Sequence, residues 1–407
     1  MNISQKKRLS VFIFCFLSLI ISYILGENSS GGSKLDSRLL KGFVDSFSEN
    51  FKEGLIYYIK NDIIHFPTFY FILGSLKKLV NINILSIFYI IISSLIPYIF
   101  YSTLKKIYKD VNKNILFAIS ILIFLSPYFR SSAVWITNDN LALLFFVLSL
   151  NKFSQIIFEK NNKFFNFLTC ITWLILASYI RQYYCLFAII FIFKTIKYFS
   201  YKEILISFIL FLILSLPAFI YLGFLFKNKI EFSYVSPNYL KNLIVFLSIY
   251  FFYIFPVFLS QINLDRIKKF LYEKKIIIIL TFIIFIFLYF KLNNINFLFG
   301  GGAILKLSNL LDFPLIFYLS VFGSIILIIF YSNKIIEDII LLSIIFFSFP
   351  FEVIYQKYFD PLILLIFFIM IKPKFLSIDL KNENFNLKIL YFFHISFLIF
   401  ANYNYSV

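Results

Sequence analysis

Six carboxylates crowd into one polar interruption of an otherwise apolar chain. They are Glu27, Asp36, Asp45, Glu49, Glu53 and Asp62, within the stretch from Gly26 to Asn81, and His65 and Pro67 follow them closely. Further charged and polar groups recur at short turns: Arg130, Asp139 and Asn140 in SPYFRSSAVWITNDN, Arg181 and Gln182 in SYIRQYY, and Lys357 and Tyr358 in FEVIYQKYFDP. A carboxylate can take the proton from an attacking hydroxyl, and a fixed cation can stabilise a phosphate as charge develops on it. Together they suit transfer of a group carried on a phosphate.

Each residue also has a plainer reading. Asp36, after the Gly-Gly step in GGSKLDSRLL, is a candidate general base or a helix N-cap. Asp45, Glu49 and Glu53 fall four residues apart, which places them on one helix face and reads mainly as a wetted interfacial face. His65 suits a hydrogen bond to substrate or the start of a short helix. Asp139 and Asn140 suit a site that binds acceptor or a divalent cation, or an N-cap before Leu141. Arg130, Arg181 and Lys357 suit a lipid phosphate or ordinary anchoring to headgroups. No metal ligand set stands out, so a divalent cation is the one cofactor left open. Cys15, Cys170 and Cys185 all lie within apolar runs, without zinc-ligand spacing.

The elements that must position these groups are membrane helices. The chain has 407 residues, 61% hydrophobic and only 14% charged, outside the balance of a soluble domain. Apolar runs long enough for a hydrocarbon core recur throughout, and backbone facing lipid must be helical or form a closed barrel. The short alternating strands of a barrel are absent. The net charge of +18 sits in short lysine clusters between apolar runs, so membrane orientation explains it and no nucleic-acid partner is implied.

Orientation turns on the run from Ile63 to Leu76, which at about 14 residues has the length of an interfacial or re-entrant helix. If it does not span, 23 of the 38 basic residues lie inside; if it spans, only 13 do. The non-spanning choice satisfies the positive-inside rule. It predicts an all-α polytopic protein of about 13 transmembrane helices. An uncleaved first helix from Leu9 to Leu25 leaves the N-terminus inside, and a long first outward loop, 26–81, carries a juxtamembrane helix. The candidate site residues then share the outer face of a cytoplasmic membrane. Residues 1–226 are expected to form a catalytic module and 227–407 a variable transmembrane module.

This order of features resembles the GT-C superfamily of membrane glycosyltransferases. IIHFPTFYFILGSL is similar to the His-Pro-Pro-like start of the family's juxtamembrane helix, with Phe66 interrupting the pair. The later turn with Thr137 and Asp139 resembles the family's Thr-Asp step, split here by Asn138. SYIRQ is similar to the Arg-Gln turn of the dolichyl-phosphate-glucose-dependent α-1,2-glucosyltransferases. YQKYFDP is similar to the late Arg-Tyr-x-x-Pro segment, with Lys357 in place of the common Arg. The resemblance, shared with protein mannosyltransferase-like families, implies a polyprenyl-phosphate sugar donor, a glycan or lipid acceptor and an inverting transfer. It implies Asp36 as base, Asp139 as a second catalytic carboxylate, and substrate contacts from His65, Arg130, Asn140, Arg181, Gln182, Lys357 and Tyr358.

Two other readings compete. An O-antigen polymerase or ligase more often places its large outward loop in the second half of the chain. A lipid-linked saccharide flippase or transporter tends to show repeats and mid-membrane polar groups, which these spans lack.

Overall fold

A computed structural model of the chain describes residues 3–32, 36–61, 65–159, 162–227, 238–291, 300–349, 352–382 and 384–406. Among them every regular element is helical. The chain divides into two compact units, one of Met1–Lys109, Leu116–Phe232 and Ser396–Val407, the other of Asp110–Ile115 and Ser233–Ile395.

The first unit begins with α1 (Ile3–Leu25), then three shorter helices, α2 (Asp36–Glu49), α3 (Phe51–Lys60) and α4 (Thr68–Lys77). The long apolar helix α5 (Ile82–Ile107) is followed by α6 (Lys113–Leu122), α7 (Pro127–Trp135), α8 (Asn138–Phe158) and α9 (Lys163–Ile180). α10 (Phe187–Thr195) and α11 (Tyr201–Lys227) complete the series. α5 packs against α1 and α8, α8 pairs with α9, and α9 also meets α11.

Among the described residues five helices are long and apolar enough to cross a membrane, or up to seven if each of two bent pairs counts as one span. These helices are consistent with an integral membrane protein, and among the described residues they number fewer than the about 13 spans expected from the sequence. The apolar run from Ile115 to Phe129 bends by 65° between α6 and α7. Ser126 precedes Pro127, a position from which proline excludes the helical conformation, and Ser126 adopts ψ 123° while its hydroxyl accepts from Phe129 N–H at 3.0 Å.

α4 has 10 residues, a rise of about 15 Å against a hydrocarbon core of about 30 Å. It packs on α2 and α3. Phe43 and Phe47 of α2, Tyr58 of α3 and Tyr70 of α4 form an aromatic core, with ring centroids 5.1 Å apart for Phe43 and Tyr58 and 5.4 Å for Tyr58 and Tyr70. The α2–α4 crossing needs Gly74, where a Cβ would meet the Phe47 carbonyl carbon and the Ser48 nitrogen at 2.9 Å. Asp45 forms an ion pair with Lys77 across this crossing, while Glu49 and Glu53 face solvent. The acidic face is therefore largely a wet surface over a packed aromatic layer.

The second unit carries α12 (Tyr239–Leu259), α13 (Leu264–Glu273), α14 (Lys275–Lys291), α15 (Gly302–Leu310) and α16 (Leu315–Tyr331). α17 (Ile335–Phe347), α18 (Leu362–Ile366) and α19 (Lys374–Lys381) follow, and α20 (Leu387–Ser406) begins in this unit, its residues from Ser396 on counting with the first. α12 and α16 are its central pair, joined within an apolar contact by hydroxyls of Ser248 and Ser320 3.0 Å apart.

Candidate functional site

The site in the first unit is built where α8 begins and its antiparallel neighbour α9 ends. α7 stops at Ile136, a β-branched residue in the left-handed region (φ 52°), a costly conformation kept only where surrounding contacts impose it. The contacts here are specific. The Tyr89 hydroxyl of α5 donates to the Thr137 carbonyl and accepts from Leu141 N–H at 3.1 Å, and Asn140 Nδ2 donates to Ser93 Oγ and to the Phe129 carbonyl, each at 3.0 Å. These bonds fix the first turn of α8, which carries Asp139. A carboxylate there also gains from the positive end of the helix.

Asp139 Oδ1 meets Arg181 NH2 at 2.6 Å, and its other oxygen lies 3.2 Å from the Thr137 hydroxyl. Arg181 follows α9 in extended conformation (φ −135°, ψ 100°), so its side chain turns back to the helix end. The Asp139 side chain is 35% exposed and that of Arg181 14%; the pair is neither sealed nor freely solvated.

Gln182, next in sequence, links the pair to the loop before α4. His65 Nδ1 and Gln182 Oε1 are 2.9 Å apart. A carboxamide oxygen only accepts, so Nδ1 carries the proton and Nε2 of the neutral ring presents a lone pair. Burial and then the Arg181 charge push the His65 pKa down to about 4, which keeps the ring neutral near pH 7. The turn is anchored by the residue that interrupts the His-Pro pair: Phe66 sits between Tyr179 of α9 and Tyr221 of α11, at 4.9 and 4.8 Å. The Tyr221 hydroxyl donates to the His65 carbonyl at 3.2 Å.

Arg130 has a different setting from the turn expected of it. It lies within α7, buried, with Nε 2.8 Å and NH2 2.6 Å from the two Glu27 carboxylate oxygens, and its guanidinium covers the Phe124 ring at 4.7 Å. NH2 also donates to the Ser22 hydroxyl. Burial raises the Glu27 pKa, but the Arg130 hydrogen bonds and charge, with the Ser22 and Ser29 hydroxyls, outweigh it and hold the carboxyl below its usual range. Trp135 Nε1 donates to the Glu27 carbonyl at 2.8 Å, clasping the chain after α1 to α7.

That clasp bears on Asp36, the first residue of α2, whose side chain lies outside the described residues, as does all of Asp62. Ser37 N–H donates to the Gly32 carbonyl at 2.9 Å, and a Cβ on Gly32 would lie 2.5 Å from Ser131 Oγ and 3.3 Å from Trp135 Cδ1. The start of α2 is thus held against α7, whose last residue precedes Asp139 by only four positions.

The structure accordingly brings His65, Asp139, Arg181 and Gln182 together, holds Asn140 beneath them as a framework residue, and commits Arg130 to Glu27. Lys357 and Tyr358 belong to the second unit. There the Lys357 ammonium lies 5.8 Å from the Tyr355 ring centre, and Tyr358 stacks on Phe349 at 5.0 Å. Gln356, just before Lys357, is buried, donating to the Tyr253 hydroxyl at 3.0 Å and accepting from Ala303 N–H at 2.7 Å. Among the described residues no group of three or more His, Cys, Asp or Glu is arranged to hold a metal ion. Comparison with protein-family models, with curated proteins and with solved structures finds no match to this chain.

Sequence reasoning missed Glu27, Phe66, Tyr89 and Tyr221 as parts of this assembly. Two signals were present. A charge at Arg130 inside an apolar segment demands a partner, and an aromatic residue inside a polar turn needs a surface to cover it.

Proposed function

We propose that this chain is a membrane glycosyltransferase of the GT-C kind, moving a sugar from a polyprenyl-phosphate donor to an acceptor hydroxyl with inversion. The observation that carries the reading is the Asp139–Arg181 ion pair beside the His65–Gln182 pair, at one end of the α8–α9 hairpin and next to the non-spanning helix α4. The order of the matching sequence segments supports it, and the lysine distribution supports an outward-facing site in a cytoplasmic membrane.

The chemistry follows from the groups. The acceptor oxygen attacks the anomeric carbon, its proton passes to a carboxylate, and the carbon–oxygen bond to phosphate breaks with its electron pair left on the phosphate. Asp36 is the proposed base. Arg181 stabilises the leaving phosphate; a guanidinium has five N–H donors, enough to hold Asp139 and a phosphate oxygen at once. Asp139 fixes the guanidinium for that contact. His65, neutral with Nε2 unprotonated, accepts a hydrogen bond from a sugar or acceptor hydroxyl.

Binding of a polyprenyl phosphate without sugar to the purified chain tests the reading. The native chain is expected to bind it and Arg181→Gln to bind at least about tenfold more weakly, the worth of one charge-assisted contact. A native chain that does not bind, or an unchanged affinity in Arg181→Gln, overturns it.

A further inference from the structure

The second unit has a groove of about 210 Å³ that the proposed reaction does not use. Its walls come from three elements: Phe251, Phe255 and Phe258 of α12, Ile267 and Phe270 of α13, and Phe322 of α16, with no polar side chain among the lining residues. The phenyl rings from α12 and that of Phe322 are half-exposed, so the groove opens outward rather than closing as core.

The helix that forms one wall is of another kind. α13, LDRIKKFLYE, begins five residues after α12 ends, so it lies at one end of a helix long and apolar enough to cross a membrane. It puts Ile267 and Phe270 into the groove and leaves Lys268 and Lys269 exposed, with exposed Lys274 and Lys275 directly after it. Such a helix, apolar on one side and basic on the other, belongs at the boundary of lipid and water. Arg266 fixes its angle: the guanidinium makes paired bonds of 2.6 and 2.9 Å to Asp379 of α19 and covers the Phe375 ring at 4.9 Å. Lys269 has Glu273 at 3.9 Å. Among the described residues Lys268, Lys274 and Lys275 form no salt bridge, and the Lys275 ammonium lies 5.6 Å from the Tyr272 ring centre. The apolar groove is thus walled by a helix that, with Lys274 and Lys275 directly after it, carries more exposed lysines than exposed carboxylates, the latter being Asp265 and Glu273.

We infer that the α12–α13–α16 groove binds one anionic phospholipid, an acyl chain lying between the phenylalanines and the phosphate held by Lys268, Lys274 and Lys275. The charge decides the class of ligand. A zwitterionic lipid could fill the channel equally well but would gain little from three ammonium groups, whereas each lysine near an anionic headgroup adds attraction that salt screens.

The test is equilibrium exchange of radiolabelled phosphatidylglycerol against phosphatidylcholine on the full chain in detergent. The native chain is expected to retain phosphatidylglycerol about tenfold over phosphatidylcholine, a preference equal to one or two lysine–headgroup contacts. K268Q/K274Q/K275Q leaves the Arg266–Asp379 anchor in place and should bring the two lipids to near parity. Ile326→Trp, at a position of α16 that also lines the groove, fills it with every charge intact and should lower retention of both. Rising salt on the native chain, which needs no substitution, should erode the preference in the same way. No preference in the native chain, a preference unmoved by salt or by the triple substitution, or displacement of phosphatidylglycerol by equimolar polyprenyl phosphate overturns the inference.

Discussion

Glu27→Gln should be among the most damaging single changes outside the proposed reacting groups, because it strips the partner from a cation that the fold has buried. Side-chain exposure is 8% for Arg130 and 12% for Glu27, so little solvent is available to replace the lost carboxylate. Breaking such a pair from one side costs about 3–5 kcal/mol. The Ser22 hydroxyl and the Phe124 ring remain to the guanidinium, which favours the lower end, about 3 kcal/mol. For a chain of this size that is a fall in Tm of about 3–4 °C. The assay is thermal loss of monodisperse protein in detergent for Glu27→Gln, Arg130→Met and the double variant. If desolvation of an unpaired charge is the main cost, removing both charges restores much of the loss, with a coupling of about 2 kcal/mol or more between the sites. A double variant as unstable as the sum of the two single changes refutes the reasoning. The pH dependence has a definite sign as well. The Glu27 carboxyl is held below its usual range, so its contribution is present above the unfolded-state carboxylate pKa and lost as pH falls through the lower folded value. The Tm gap between native and Glu27→Gln should therefore narrow on acidification.

Three other outcomes follow from the same geometry. Gly74→Val places methyl groups against the Phe47 backbone, which cannot move aside as a flexible side chain could; a destabilisation of about 1–3 kcal/mol and faster proteolysis within 36–77 are expected. Asn140→Ala leaves Ser93 Oγ and the Phe129 carbonyl without their donor, at about 1–3 kcal/mol, read as lowered thermal stability with the Asp139 and Arg181 side chains unaltered in sequence. His65 is held neutral, with its pKa pushed down to about 4, so its contribution is present above the unfolded-state value of about 6.5 and declines as pH falls below it. The stability difference between native and His65→Gln should shrink between pH 7 and pH 5.

The helical class and the short helix α4 were legible in the sequence because both follow from a local quantity, apolar run length. The bend at Ser126–Pro127 was legible too, since proline restricts the residue before it, yet the apolar run from Ile115 to Phe129 masked it. The site was legible only as a set of residue types. The bond from His65 to Gln182 spans 117 positions and that from Arg130 to Glu27 spans 103, and no local pattern selects one partner among several carboxylates. Arg130 and Arg181 look alike in sequence, each a cation beside a turn. Their difference is geometric: one falls inside α7 against the chain after α1, the other just past the end of α9 beside the first turn of α8. Phe66 reads as a flaw in the His-Pro motif until Tyr179 and Tyr221 are seen on either side of it.

The central claim is tested most directly by following a polyprenyl-phosphate hexose in membranes that contain the chain and by measuring free polyprenyl phosphate released. Release is expected with the native chain, and Arg181→Gln and Asp36→Asn, at equal protein level, should cut it by about 100-fold or more, as loss of a charge-stabilising or proton-transfer group does. Native chain that releases none, or variants that release as much as the native chain, would contradict the account.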